Sequence, residues 1–74
     1  DSLEFSGSMA VIKTRPGQAG MIASIIDDGH LPEVMGTLAG DDTILLVLRE
    51  GFRHEDVTSS LSEIFKGIET KRVN

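Results

Sequence analysis

Two pairs of adjacent carboxylates, Asp27-Asp28 and Asp41-Asp42, are the residues of this 74-residue chain best placed to do chemistry. The second pair lies in Gly40-Asp41-Asp42-Thr43, a run of turn-forming types. Two carboxylates at a hairpin tip concentrate negative charge and present planar, bidentate acceptors. These suit a guanidinium and also hold an ammonium. The same four residues make an ordinary turn with no ligand, because Gly and Asp are common there. A divalent cation is the poorest option, since two carboxylates without further oxygen ligands nearby make a weak site. The Asp27-Asp28 pair ends a predicted helix, where the dipole opposes negative charge by roughly a few tenths of a kcal/mol each. Such a placement fits a binding role or a solvated helix end.

Arg15-Pro16-Gly17 precedes that helix. Free N–H groups at a helix start can hold an anion, such as a ligand carboxylate; the alternative is a plain strand-to-helix loop. His30 and His54 have no sequence-local nucleophile with an orienting acid and are read as surface residues. No Gly-rich phosphate loop, nucleophile elbow or cysteine is present. No residue is therefore assigned to catalysis, to a metal or to a cofactor. Met9, Met21 and Met35 are read as core or interface filler.

The elements that must carry these residues follow from periodicity. Leu3-Glu4-Phe5 alternates like a half-buried strand, Gly7-Ser8 makes a two-residue hairpin turn, and Met9 to about Thr14 forms a second strand. Pro16-Gly17 breaks it. Gln18–Asp28 is expected to be a helix, with Ile22, Ile25 and Ile26 as its stripe and Ala19 and Ala23 as a small-residue strip beside it. Gly29 is its stop signal. Leu31-Pro32-Glu33 is a connection, and Val34–Ala39 is a third strand with Gly36 inside it. Thr43–Arg49 is a fourth, nearly all aliphatic, as in a central strand covered on both faces, one of them by a partner.

A second helix is expected over His54–Lys66, with Val57, Leu61, Ile64, Phe65 and Ile68 in helical register. Glu55 and Asp56 suit its start and Lys66 its end. Glu69–Asn74 reads as a polar tail. The order is ββαββα, an α+β fold. It gives one four-stranded antiparallel sheet with both helices on one face and the other face available to a partner.

Composition narrows the class. Hydrophobic residues make up 39% and aromatics 4%, a folded composition with an aliphatic core. Residues 1–74 make a single small domain, and without disulfides oligomerisation is the natural source of added stability. The net charge of −5 and pI near 4.7 disfavour contact with phosphate backbones and suit a cationic small ligand or a structural role. No apolar run approaches the ~20 residues of a membrane span, and no secretion signal is recognised, so a cytoplasmic location is expected. The chain starts at Asp1, as a piece taken from inside a longer gene would.

These pieces together resemble the C-terminal domain of the bacterial arginine repressors. The resemblance is carried by Val11–Thr14 with Pro16-Gly17, by Ile22–Asp27, and above all by Met35-Gly36-Thr37-Leu38-Ala39-Gly40-Asp41-Asp42-Thr43-Ile44. Gly51-Phe52 and the helix with Leu61 and Ile64-Phe65 extend it over nearly the whole chain. It implies the two-layer, DCoH-like arrangement of the pterin dehydratases, and trimers that stack in pairs into hexamers. It also implies an L-arginine site at the trimer–trimer interface. Residues matching Asp41 and Asp42 take the ligand's cationic groups, Asp27 lines the same site, and the backbone around Ala39 contributes, beside Thr43. An N-terminal winged helix-turn-helix domain, absent from this chain, binds DNA in such proteins. One position departs from the pattern: Gly20 stands where the family commonly has a ligand-contacting Gln. Gln18 lies two residues earlier and points roughly 200° away around the helix, so it is no substitute. This departure points to a bulkier or different basic amino acid, such as ornithine or an acylated relative, as effector.

Three other readings compete. An ACT-like regulatory domain has a similar strand-to-helix turn but needs a strand after the second helix. In a ligand-free oligomerisation module the Asp41-Asp42 turn is only a turn. A pterin-dehydratase-like enzyme needs a His-rich site, and the two His here are scattered.

Overall fold

The computed structural model describes residues 2–72, with side chains through Lys66. The elements are β1 (Ser2–Ser6), β2 (Met9–Lys13), α1 (Ala19–Asp28), β3 (Val34–Ala39), β4 (Thr43–Leu48) and α2 (His54–Arg72). The strands form one antiparallel sheet in the order β1-β2-β4-β3. The aliphatic β4 and its neighbour β2 are therefore the two central strands, as expected for β4.

Gly7, at φ +58°, turns the β1–β2 hairpin. Its Ser2↔Lys13 to Ser6↔Met9 register places Leu3 and Phe5 beside Ile12 and Ala10 on one face. On that face Ala10, Ile12, Ile44, Leu46 and Leu48 are buried under Ala19, Ala23 and Ile26 of α1 and Val57 and Leu61 of α2. Both helices thus cover the same side. The small-residue strip Ala19/Ala23 is the part of α1 that sinks into this core, and it is more buried than Ile22 or Ile25. Alanines bring the helix axis close to the sheet, so the larger isoleucines flank the contact.

Several local expectations change. The helix stops at Gly29 as expected, but the left-handed residue is the next one, His30 (φ +51°), while Gly29 keeps right-handed helical angles. A Cβ at Gly29 would lie 3.1 Å from Ile64 Cδ1 of α2, a tight contact that the end of the Ile64 side chain would have to relieve by a few tenths of an ångström. The α2 helix runs to Arg72, well beyond Lys66, so most of the expected tail is helical and Lys66 is not at its end. Ile68 falls outside the described side chains, and residues 73–74 outside the described residues. At its start the Asp56 carboxylate accepts the Arg53 backbone N–H (3.0 Å), half of a capping box. The three methionines are exposed, none in the core. No helix among the described residues is long and apolar enough to cross a membrane.

Candidate functional site

The acidic turn is held by backbone bonds from the segment that leads into α1. The Asp41 carbonyl accepts the N–H groups of Gly17 (3.0 Å) and Ala19 (3.3 Å), and the Asp42 carbonyl accepts that of Thr14 (2.8 Å). The N–H of Gly40 closes the turn on the Thr43 carbonyl at 2.8 Å. Two of the N–H groups that could hold an anion beside Arg15-Pro16-Gly17 are thereby taken, because the Gly17 and Ala19 donors point at Asp41's own carbonyl. The loop's part is to fix the turn. Gly17, at φ +83°, adopts the left-handed conformation that brings its N–H there.

The two side chains of the turn differ. Asp42 Oδ1 accepts the Thr43 hydroxyl (2.9 Å), and Thr43 Oγ1 in turn accepts Lys13 Nζ (2.9 Å). Asp41 is exposed, and nothing among the described residues hydrogen-bonds its carboxylate. The stretch therefore presents one carboxylate tied into a short network and one open acceptor. Lys13 belongs to this cluster through Thr43 and was missed in the sequence. Only the β2–β4 pairing Lys13↔Thr43 could have revealed it.

Gly20 lies in the first turn of α1, one residue past the Ala19 N–H that meets Asp41, and Ala39 ends the strand entering the turn. A side chain at Gly20 would meet nothing within 4 Å. Gly20, Ala39, Asp41, Asp42 and Thr43 thus gather at one end of the molecule. Asp27 does not join them. It sits eight residues beyond Ala19, about 12 Å along the helix axis. There both its carboxylate oxygens accept the Thr37 hydroxyl, each at 3.1 Å. The Thr37 hydroxyl offsets the unfavourable helix-end placement of this acid. Among the described residues no group of three or more His or acidic side chains is arranged to hold a metal ion.

Glu33 is a polar residue that the sequence hid in a connection. It is 5% exposed; Oε2 accepts the Ser60 hydroxyl of α2 (2.8 Å), while the buried Oε1 has no partner. His54, though exposed, is also tied down: its ring stacks on Phe5 (centroids 4.2 Å apart) and its Nε2 bonds the Gly7 carbonyl at 3.0 Å.

The fold and this site define a small two-layer α+β domain whose acidic turn is braced by backbone hydrogen bonds from the segment before α1. Residues 1–63 match the family model described as "Arginine repressor, C-terminal domain", and the chain belongs to that family of transcription regulators, which are not enzymes. It is 54% identical over 68 residues to an arginine repressor of Bacteroides thetaiotaomicron, covering 92% of this chain and 43% of that protein. The corresponding protein of Phocaeicola vulgatus is 52% identical over 68 residues, with the same coverage. That of Thermotoga petrophila is 44% identical over 64 residues, covering 86% of this chain and 42% of that protein. The chain thus spans less than half the length of the relatives it matches.

Proposed function

We propose that this domain is the effector-sensing and oligomer-forming part of a transcription regulator of arginine metabolism. It binds L-arginine or a related basic amino acid between copies of itself, needs no cofactor, and acts in the cytoplasm. The observation that carries the reading is the Asp41 carboxylate. It is an unpartnered acceptor on a turn fixed by three backbone hydrogen bonds from another segment, and so is preorganised for a cationic group. Asp42 stands beside it, braced by Thr43.

Asp27 and Asp41 lie at opposite ends of α1, so a small ligand that reaches both must bridge two copies. The uncovered face of the sheet supports assembly independently. Across it the register aligns Val11, Leu45 and Leu38 in one row and Met9 and Val47 in the next. Leu38 is 71% exposed and Val47 42%. An apolar sheet face of this kind is suited to burial against another subunit. By analogy with the family, trimers form and pair into hexamers.

The mechanism is linkage. A ligand shared between subunits binds the assembly better than its parts and so stabilises it. Converging Asp41 and Asp42 copies repel one another until a cation arrives. In the full-length protein the assembly sets the spacing of N-terminal DNA-binding domains, and affinity for paired operators rises by multivalency. Gly20 leaves open space beside the acidic turn, which favours an effector bulkier than arginine or of different shape, such as ornithine or an acylated derivative. The ACT-like alternative loses support, because residues 1–63 match the family model of the arginine repressor C-terminal domain.

Light scattering with and without millimolar L-arginine tests the proposal, with ornithine and its acylated derivatives as the companion panel. A ligand-dependent rise from trimer to hexamer is expected. Asp41→Asn should weaken the binding of the effector by more than about tenfold while leaving the trimer intact. A mass that ignores every basic amino acid would leave a ligand-free oligomerisation module as the better description.

A further inference from the structure

A cavity of about 280 Å³ opens between the C-terminal end of α1 and the start of β3. Ile26, Leu31, Val34 and Met35 give it apolar walls, and its charged groups are Asp27 and Arg49, with His30 beside them. Arg49 is anchored at both its backbone and its side chain. Its N–H donates to the Glu33 carbonyl (2.9 Å), and Nε donates to the Pro32 carbonyl (3.0 Å). Those bonds leave the two terminal guanidinium nitrogens, the edge that grips a carboxylate bidentately. No carboxylate among the described residues lies within ion-pair distance of Arg49. Asp27, held by Thr37, keeps acceptor capacity of its own.

The two charges do not pair with each other: Asp27 is tied to the Thr37 hydroxyl, and Arg49 to the Glu33 and Pro32 carbonyls. One anionic and one cationic group thus line the same cavity, a charge pattern complementary to a ligand that carries both an ammonium and a carboxylate. We propose that Arg49 binds the α-carboxylate of the amino-acid effector while Asp27 takes its α-ammonium. The side-chain cation is then left for the acidic turn of another copy. Arg49 is thus a specificity residue: it makes the domain select amino acids over the amines that result from their decarboxylation. The inference rests on the effector-binding reading above and adds to it the residue that recognises the ligand's acid group.

Calorimetric titration of this chain with L-arginine and with agmatine, which keeps the guanidinium and an amine but lacks the carboxylate, tests it. The unaltered chain should bind L-arginine at least about tenfold more tightly than agmatine. Arg49→Gln should abolish that preference by weakening arginine binding while leaving agmatine binding within about twofold. Arg49→Lys, which keeps the charge but not the fork, should retain part of the preference. Circular dichroism melting of both variants separates loss of recognition from loss of the Pro32 anchor; if Arg49→Gln does not fold, the decision passes to Arg49→Lys, where an undiminished preference rejects the assignment. A preference that survives Arg49→Gln overturns the role of Arg49 but leaves effector binding standing, since arginine still binds. Failure of the unaltered chain to bind L-arginine, ornithine or agmatine overturns both.

Discussion

The two faces of the sheet are built from the same strands, one residue out of phase, yet they meet different fates. Ile44, Leu46 and Leu48 of β4 point to the helices and are buried. Leu45 and Val47, between them, point the other way and keep part of their surface exposed. The side chains are nearly equivalent in hydrophobicity. What differs is cover: α1 and α2 both pack on one side. Apolar residues that a chain leaves uncovered on a regular sheet mark where a second chain belongs, because burial is worth about 25 cal/mol per Å² whichever chain supplies it. The closed face accounts for the stability of one subunit, and the open face is proposed to account for assembly.

Four substitutions sharpen or break that division. Ile44→Ala, in the closed face, should cost about 2–5 kcal/mol of unfolding free energy in urea titrations. A cost below about 1 kcal/mol would show that the helix layer is not the main core. Ser60→Ala removes the single hydrogen bond of the buried Glu33 carboxylate between α2 and the start of β3. It should cost about 1–3 kcal/mol in the same titration, whereas a neutral result would mean that water reaches Glu33. His30→Gly relieves a left-handed backbone at the end of α1 and should stabilise the subunit by up to about 1 kcal/mol. Destabilisation in thermal melts would instead give the imidazole a structural role. Leu38→Ser, on the open face, should change the stability of the dilute subunit by less than about 0.5 kcal/mol while lowering the mass seen by light scattering. An unchanged mass would reject the open face as the interface between copies.

Much of the architecture was legible because its signals are local. The third strand, the Gly40–Asp42 turn and the start of the fourth strand were placed where they occur, since a Gly-Asp-Asp run between aliphatic segments admits few conformations. The start of α2 was also legible, but its end was not. Residues 69–72, after Ile68, are polar and carry no apolar stripe, and a helix continues without one as long as its i→i−4 bonds are made. The choice between core and interface for Met9 and Met35 was not legible, because an apolar side chain on a strand has the same pattern whichever face it takes; Met35 precedes Gly36 at a register shift between β3 and β4, where alternation fails. The acid pairs were visible as candidates, but nothing local distinguished Asp41, with an open carboxylate, from Asp42, tied to Thr43.

The sequence by itself determined the order of elements, the turn chemistry, the acidic charge and the family, because each depends on residue types at short spacing. The tertiary structure alone decided that the Gly17 and Ala19 N–H groups serve Asp41's carbonyl, that Asp27 stands about two helical turns from the acidic turn, that Glu33 is buried against Ser60, and that Arg49 shares a cavity with Asp27. Each of these joins residues well separated along the chain, and such contacts depend on how strands and helices pack, which periodicity along a single segment does not encode.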